Sequence, residues 1–251
     1  MKNYKILAFS ILITLFIFSL DLLSNITSRF VQERVLVSRV LDGDTIEVNN
    51  GKIVRLLGIN APERGEYFYE EAKNFLKNRI EGKEIILVGE GKTDIYGRKL
   101  FFVFIEKENI NLELIEKGYA HLFEVNKIDT YREKFLKAER DAREKEIGIW
   151  KKSNYSKCIY LKELTFKGEE KIAFKNICNF SLNISKWYLK DESHHIFFFP
   201  NFLLFPNKTV EIYTTRRGEF SFNSKYPILN REGDSIFLRD SDGLLVLFYR
   251  Y

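Results

Sequence analysis

Cysteine, proline, histidine and methionine are all scarce here, at 2, 4, 3 and 1 of 251 residues. Two cysteines allow at most one disulfide, so the chain is no small fold stapled by many bridges. Of the histidines, His194 and His195 sit in a Ser-His-His turn with no carboxylate or thiol at metal-ligand spacing, and read as a solvated loop. A bulk charge of one sign is missing as well. The net charge of +5 comes from the ends: residues 1–29 carry 3 basic and 1 acidic side chains, residues 30–152 carry 23 and 23, and residues 153–251 carry 14 and 11. Any grip on a phosphate must therefore come from local placement, not from bulk potential. What is abundant is ordinary globular material, 45% hydrophobic and 30% charged, long enough for one large domain or two of average size.

Against that background one stretch stands out. Leu-Asp-Gly-Asp-Thr-Ile-Glu-Val (41–48) and Val-Arg-Leu-Leu-Gly-Ile-Asn-Ala-Pro-Glu (54–63) are apolar-alternating segments joined through Asn49-Asn50-Gly51. Asn-Gly between such runs signals a hairpin, because both turn residues tolerate positive φ. The hairpin brings Asp44, at the start of its first strand, near Asn60, at the end of its second. Oxygen ligands for a hard cation, the Arg55 guanidinium and the Glu63 carboxylate then gather in one place, as phosphodiester hydrolysis requires. Thr93-Asp94-Ile95-Tyr96-Gly97-Arg98 follows downstream.

Asp-Gly-Asp-Thr, Arg-Leu-Leu-Gly-Ile-x-x-Pro-Glu and Asp-x-Tyr-Gly-Arg, in this order and spacing, resemble the staphylococcal-type thermonuclease family over roughly residues 33 to 151. The resemblance implies an OB-type barrel and a calcium-dependent nuclease acting on DNA or RNA. It assigns the metal to Asp44, the Ala61 carbonyl and residue 60, and phosphate contacts to Arg55 and Arg98. Glu63 would position or deprotonate water, and Tyr96 would lie by the substrate. Flanked by two arginines and a cation, Glu63 is expected to have a lowered pKa, so alkaline pH should favour the reaction. The family's usual second calcium-binding aspartate is here Asn60, which leaves magnesium or manganese as rivals to calcium. Glu124 and Asn126 stand where the staphylococcal enzyme has substrate-side tyrosines, and the loop after Glu63 is shorter.

In chain order, Lys2 and Lys5 precede an apolar run, Ile6 to Leu20, of about 22 Å as a helix. No position offers small residues at both −3 and −1 of a cleavage site. The run reads as a membrane anchor in preference to a removed signal peptide, with everything after it extracytoplasmic. Five strands follow (Val35–Val40, Thr45–Val48, Lys52–Ile59, Ile85–Val88, Leu100–Ile105). Three helices are expected at Glu66–Arg79, at Asn111–Lys117 and after a capping box, Thr130-x-x-Glu133. These elements suit a five-stranded OB barrel over 30–152. Trp150 closes it as a core residue.

Beyond the polar stretch 151–157, β-branched and aromatic runs recur every eight to twelve residues between turns, indicating an immunoglobulin-like β-sandwich over 153–251. Segments Ile172–Asn176, Ile184–Asp191 and Gly233–Gly243 resemble a lamin-tail domain, which implies a tethering module with a ligand of its own and no catalytic constellation. The fold class is thus mainly β. Cys158 and Cys178, ten residues either side of Gly168, would face each other across a hairpin, as a disulfide or as two core thiols. Asn25, Asn154, Asn179, Asn183 and Asn207 open Asn-x-Ser/Thr sequons, in keeping with export. Few contacts are expected to cross the 151–157 stretch. The alternatives to a nuclease are a non-catalytic module holding nucleic acid or protein on the same barrel, and an envelope adhesion protein.

Overall fold

The computed structural model describes residues 31–123, 131–166, 169–193, 195–215 and 218–251. The N-terminal apolar segment, Glu124, Asn126, Thr130, Gly168 and His194 fall outside them. Among the described residues no helix is long and apolar enough to cross a membrane.

Strand β1 (Val31–Val40) serves two neighbours. Its first half pairs with β5 (Glu84–Gly89), from Val31 opposite Gly89 to Leu36 opposite Glu84, and its second half pairs with β2 (Thr45–Val48). A bulge between Val37 and Arg39 bends it between the two ladders, the usual way a strand turns the corner of a barrel. β2 returns into β3 (Ile53–Leu56) across the predicted Asn-Gly turn, with Thr45 opposite Arg55. β5 pairs with β6 (Lys99–Ile105), and β6 closes the barrel by running parallel to β3, Arg55 opposite Leu100. The order β3-β2-β1-β5-β6 with β3 against β6 is a closed five-stranded mixed barrel, filled by Ile46, Val54, Leu56 and Leu87.

The expected third strand breaks in two. Gly58 at φ 80° ends β3, and Ile59–Asn60 form a separate strand, β4, paired with β8 (His121–Leu122). Helix α1 (Tyr69–Ile80) buries Tyr69, Ala72, Leu76 and Ile80, the residues its periodicity selects. β7 (Glu108–Asn109) leads into α2 (Ile110–Glu116), capped by the Asn109 side chain on Leu112 N. At the start of α3 (Arg132–Glu144) the cap position is Tyr131, which makes no side-chain cap bond and packs its ring on Phe102, 4.6 Å between centroids. A 3₁₀ turn, Gly148–Trp150, then closes the barrel segment. A Cβ on Gly148, at φ 59°, would lie 2.0 Å from the Gly118 carbonyl oxygen, so the chain needs glycine there to pass that close.

The second half is a sandwich. One sheet runs β15-β10-β9 (Thr209–Tyr213, Lys171–Asn176, Ile159–Thr165) and the other β13-β12-β16-β17 (Ile196–Phe198, Tyr188–Lys190, Ser235–Arg239, Leu245–Arg250). A short ladder of β11 (Leu182–Asn183) on β14 (Leu203–Leu204) covers one side. Trp187, Phe174, Leu189, Ile212 and Leu238 fill its core. Cys158 and Cys178 form a disulfide where β9 begins and β10 ends.

The expectation of few contacts across 151–157 is overturned. Leu245 N donates to Lys151 O and Ser153 N to Leu245 O, each at 2.9 Å, so the stretch is itself pinned to β17. Ala142, Ile149 and Trp150 of the barrel form one apolar cluster with Phe237 and Leu245 of the sandwich. Trp150 is core, as expected, but the core it completes is this shared one. Beside it the Arg250 guanidinium meets the buried Glu139 carboxylate at 2.7 Å and donates to Leu122 O at 3.1 Å. Polar composition masked this seam because its groups are paired with each other and not with water.

Candidate active site

The two sequence halves meet because of a glycine. A Cβ at Gly43 would lie 2.6 Å from Ala61 Cβ and 3.0 Å from Ala72 Cβ, so only glycine lets the Asp42–Thr45 turn rest against residue 61 and α1. Asp42 Oδ1 accepts from Asp44 N at 3.1 Å and fixes that turn. Asp44, almost fully buried, then reaches across: Oδ2 accepts from Ala61 N at 2.7 Å and pairs with Arg55 Nη2 at 2.9 Å, and Oδ1 accepts from Thr45 Oγ1 at 3.1 Å.

Arg55 is the centre of the network. Nη1 donates to the carbonyls of Leu56 (3.0 Å) and Ile59 (2.8 Å), and Nη2 donates to Asn60 Oδ1 (2.7 Å) beside its pairing with Asp44. Three of the five N–H donors a guanidinium carries thus make hydrogen bonds within the protein, and the charge is also paired with Asp44. To hold a phosphate through its outer edge, Arg55 must exchange some of these bonds. Asn60 is fully buried; its Oδ1 faces Arg55, while its Nδ2 donates 3.0 Å to the Glu192 carbonyl of the sandwich.

Arg98 is placed differently. It stands just before β6, two residues ahead of Leu100, the register partner of Arg55. It is half-buried and, among the described carboxylates, pairs with Asp94, Nε 2.7 Å from Oδ2. The Asp94 Oδ1 also accepts from the main-chain N of Tyr96 and Arg98, which shapes the 94–98 loop. Tyr96 is 76% exposed, and Arg98 lies 5.2 Å from its ring centre.

Glu63 follows Pro62 in an exposed turn that Glu66 ties at both ends: Glu63 N donates to Glu66 Oε2 at 3.0 Å, and Glu66 N donates to Glu63 O at 2.9 Å. In the chain by itself the Glu63 carboxyl has a raised pKa. Desolvation by the surrounding chain is the main cause, with the Asp42 charge adding to it, and the pulls of Lys190 and Arg55 do not offset them. Burial and the neighbouring Asp44 likewise push Asp42 up to about 6.

Sequence reasoning missed four contributors. Asp42 stood in the motif but received no role. His121 is the cross-strand partner of Asn60, buried and held neutral by desolvation, its Nδ1–H donating to Leu122 O at 2.9 Å. Lys190 and Glu192 come from the sandwich, and no pattern near them points at the barrel. Outside the site, His195 is exposed, as read, and its Nδ1 lies 2.6 Å from Asp191 Oδ2.

A family model described as staphylococcal nuclease homologue matches residues 53–152. An uncharacterised endonuclease of Haemophilus influenzae is 33% identical over 158 residues, spanning 61% of this chain and 83% of its own length. The chain belongs to the staphylococcal nuclease family. The thermonuclease of Staphylococcus intermedius is 31% identical over 130 residues, 48% of this chain and 77% of the relative. Protein ParB of Escherichia coli is 34% identical over 128 residues, 45% and 70% respectively. The span matched by the nuclease-family model holds Arg55, Asn60, Glu63 and Arg98, while Asp42 and Asp44 lie just upstream, on the turn that β2 pairs onto β3.

Proposed function

We propose that this nuclease-family chain is an exported, metal-dependent hydrolase of phosphodiester bonds in DNA or RNA. The observation that carries the reading is the buried Asp44–Arg55–Asn60 network, with the Glu63 turn and the Arg98 loop set around it. Among the described residues no three His, Cys, Asp or Glu side chains form a metal cluster. The donor set nonetheless fits a hard cation: Asp42 and Asp44 are neighbouring carboxylates, and burial first, then the Asp44 charge, disfavours the ionised form of Asp42, which a positive ion would favour. Asp44, the Ala61 carbonyl and Asn60 would hold calcium, or magnesium or manganese, with Asp42 beside them. Such an ion supplies charge neutralisation and polarisation at the phosphoryl oxygens.

The chain's own groups divide the remaining work. Glu63 orients the attacking water and takes its proton. Arg98, with one carboxylate partner and part of its surface open, is the arginine available for a two-pronged phosphate contact. The exposed Tyr96 ring offers a face for a base. The lysine-led apolar N-terminal segment, the sequons and the Cys158–Cys178 disulfide support an extracytoplasmic location and anchorage to a membrane. The lamin-tail-like sandwich would then tether the enzyme to a ligand of its own.

One observation favours a second reading, a nucleic-acid- or protein-binding module without catalysis: the inward hydrogen bonds of Arg55 to Leu56, Ile59 and Asn60 and its pairing with Asp44. Incubating the protein with supercoiled plasmid and with single-stranded RNA, with calcium, magnesium or manganese and with a chelator, separates the two. Metal-dependent nicking abolished by Glu63→Gln supports the enzyme. Binding without cleavage under every metal supports the module.

A further inference from the structure

The contacts between the sandwich and the barrel converge on the turn that carries Glu63. Lys190 Nζ lies 2.6 Å from both Glu66 oxygens, and the two side chains are only 7% and 12% exposed. That same Glu66 carboxylate accepts the Glu63 amide. One strand residue of the sandwich therefore fixes the side chain that fixes the Glu63 backbone. Two residues further on, the Glu192 carbonyl accepts Asn60 Nδ2, and this sets the opposite edge of the Asn60 amide, Oδ1, towards Arg55. The far end of the turn is held sterically. A Cβ on Gly243, at φ 81°, would lie 2.3 Å from Tyr67 Cβ, so the β16–β17 turn seats directly on the residue after Glu66. The seam between these parts, lined by Ala61, Glu66, Tyr67, His121, Lys190 and Arg239, leaves only ≈ 20 Å³, about one water molecule.

We propose that the sandwich sets the geometry of the active-site turn, with Lys190 as a positioning residue for Glu63 and the Glu192 main-chain carbonyl as the group that orients Asn60 beneath Arg55. The inference rests on the nuclease reading above. It adds a function for the second domain beyond tethering: neither Lys190 nor Glu192 touches substrate, and each acts through a barrel residue. A buried ammonium bridging both oxygens of a carboxylate resists rotation of that carboxylate. Losing it lets the turn drift, and a misplacement of about 1 Å at a reacting group lowers turnover on the order of 10- to 100-fold.

The test uses the full chain, in single-turnover cleavage with saturating metal and in amide hydrogen exchange. Lys190→Met keeps the apolar stem and removes the charge. Its kcat should fall on the order of 10- to 100-fold, with KM little changed because ground-state binding is untouched. The Glu63 amide should exchange faster while β1 to β5 keep their protection. Lys190→Arg should recover part of the loss. Phe248→Leu, which trims the shared apolar cluster and leaves the Lys190–Glu66 pair in place, should lower Tm and leave kcat as it was. If Lys190→Met fails to fold, the Lys190→Gln/Glu66→Gln double variant replaces the ions by neutral amides and is read by the same two measurements.

Unchanged kcat and unchanged Glu63 exchange in a folded Lys190 variant would overturn the inference. So would an equal loss of kcat in Phe248→Leu at the same folded fraction. A wild type that cuts nothing, yet whose Glu63 amide is released by Lys190→Met, would sink the nuclease reading and uphold the positioning role.

Discussion

The barrel presents its polar residues outward, on turns and strand ends where Glu63, Tyr96 and Arg98 meet solvent. The sandwich presents Lys190, Glu192 and Arg250 inward, onto the barrel. Each region has its own apolar core, so neither needs the other for bulk burial. What joins them is a third, smaller cluster around Trp150 and Phe237, flanked by two buried ion pairs. Buried pairs add little net stability, since desolvation offsets most of the attraction, but they fix register and are costly to leave half-made. The contrast is between a region that supplies reacting groups and one that supplies fixed partners for them.

The largest expected effect tests the chemical side. Glu63→Gln should lower turnover by about 10²- to 10⁴-fold, the usual worth of a general base. Arg98→Lys should also reduce it steeply, because lysine lacks the planar fork. Near-ultraviolet circular dichroism should find both variants folded like the wild type. Near-normal cleavage by both would remove the site from this face of the barrel.

The next effect tests the supporting side. Arg250→Met leaves Glu139 buried without its ion partner, although Leu122 N still donates to it at 2.8 Å. Removing one member of a buried pair costs about 3–5 kcal/mol, which thermal unfolding reads as a clear drop in Tm. A loss well below 1 kcal/mol would mean that water already reaches this seam.

Much of the barrel was legible beforehand. The Asn-Gly turn, the periodicity of Tyr69, Ala72, Leu76 and Ile80, and the three motifs each rest on local rules of spacing and turn chemistry. The break at Gly58 was not legible, because a glycine inside an apolar run reads equally as strand. The partners of Arg55 were missed for a related reason: spacing shows that an arginine sits near two oxygens, not that its guanidinium is turned onto main-chain carbonyls and the Asn60 amide. Lys190 and Glu192 left no sequence signal at all, since they lie more than 120 residues from the side chains they hold. The Glu63 expectation counted charge, a bound cation included, and left out the desolvation that raises its pKa in the chain by itself.

Asn60 belongs to both regions, and its substitution sharpens the comparison at smaller scale. Asn60→Asp adds a negative charge at the expected metal position, worth about 1–2 kcal/mol after screening, or about tenfold in calcium affinity. It also replaces the donor that meets Glu192 O with an acceptor, so Tm should fall as calcium binding tightens. Calorimetric titration with a nucleotide bisphosphate present, together with a melt, reads both. Unchanged calcium affinity would remove residue 60 from the metal shell.

The smallest effect is a pH trend shared by one carboxyl from each region. Burial, with help from Asp44, raises Asp42 to about 6, and burial, with help from Asp234, raises Glu192 to about 7. Folded-state values above the unfolded ones mean that the native chain binds more protons between about pH 4 and 7. Stability from these groups is therefore full below pH 4 and lost as pH rises through 6 and 7. His121, held neutral by burial, works the other way below its ordinary pKa of 6.5, so Tm should decline clearly only above that pH, at constant ionic strength. Glu192→Gln should flatten the sandwich's part of that decline, and calcium, by favouring ionised Asp42, the barrel's part.

The dependence of the site on the sandwich can be read in one denaturation series. The chain has two tryptophans, Trp150 at the seam and Trp187 in the sandwich core. In Trp150→Phe, the fluorescence of Trp187 reports the sandwich alone, and cleavage of an oligonucleotide in the same urea samples reports the barrel's site. The two curves should share one midpoint. Cleavage that persists at urea concentrations where Trp187 is already exposed would contradict the claim that the sandwich holds the active-site turn in place.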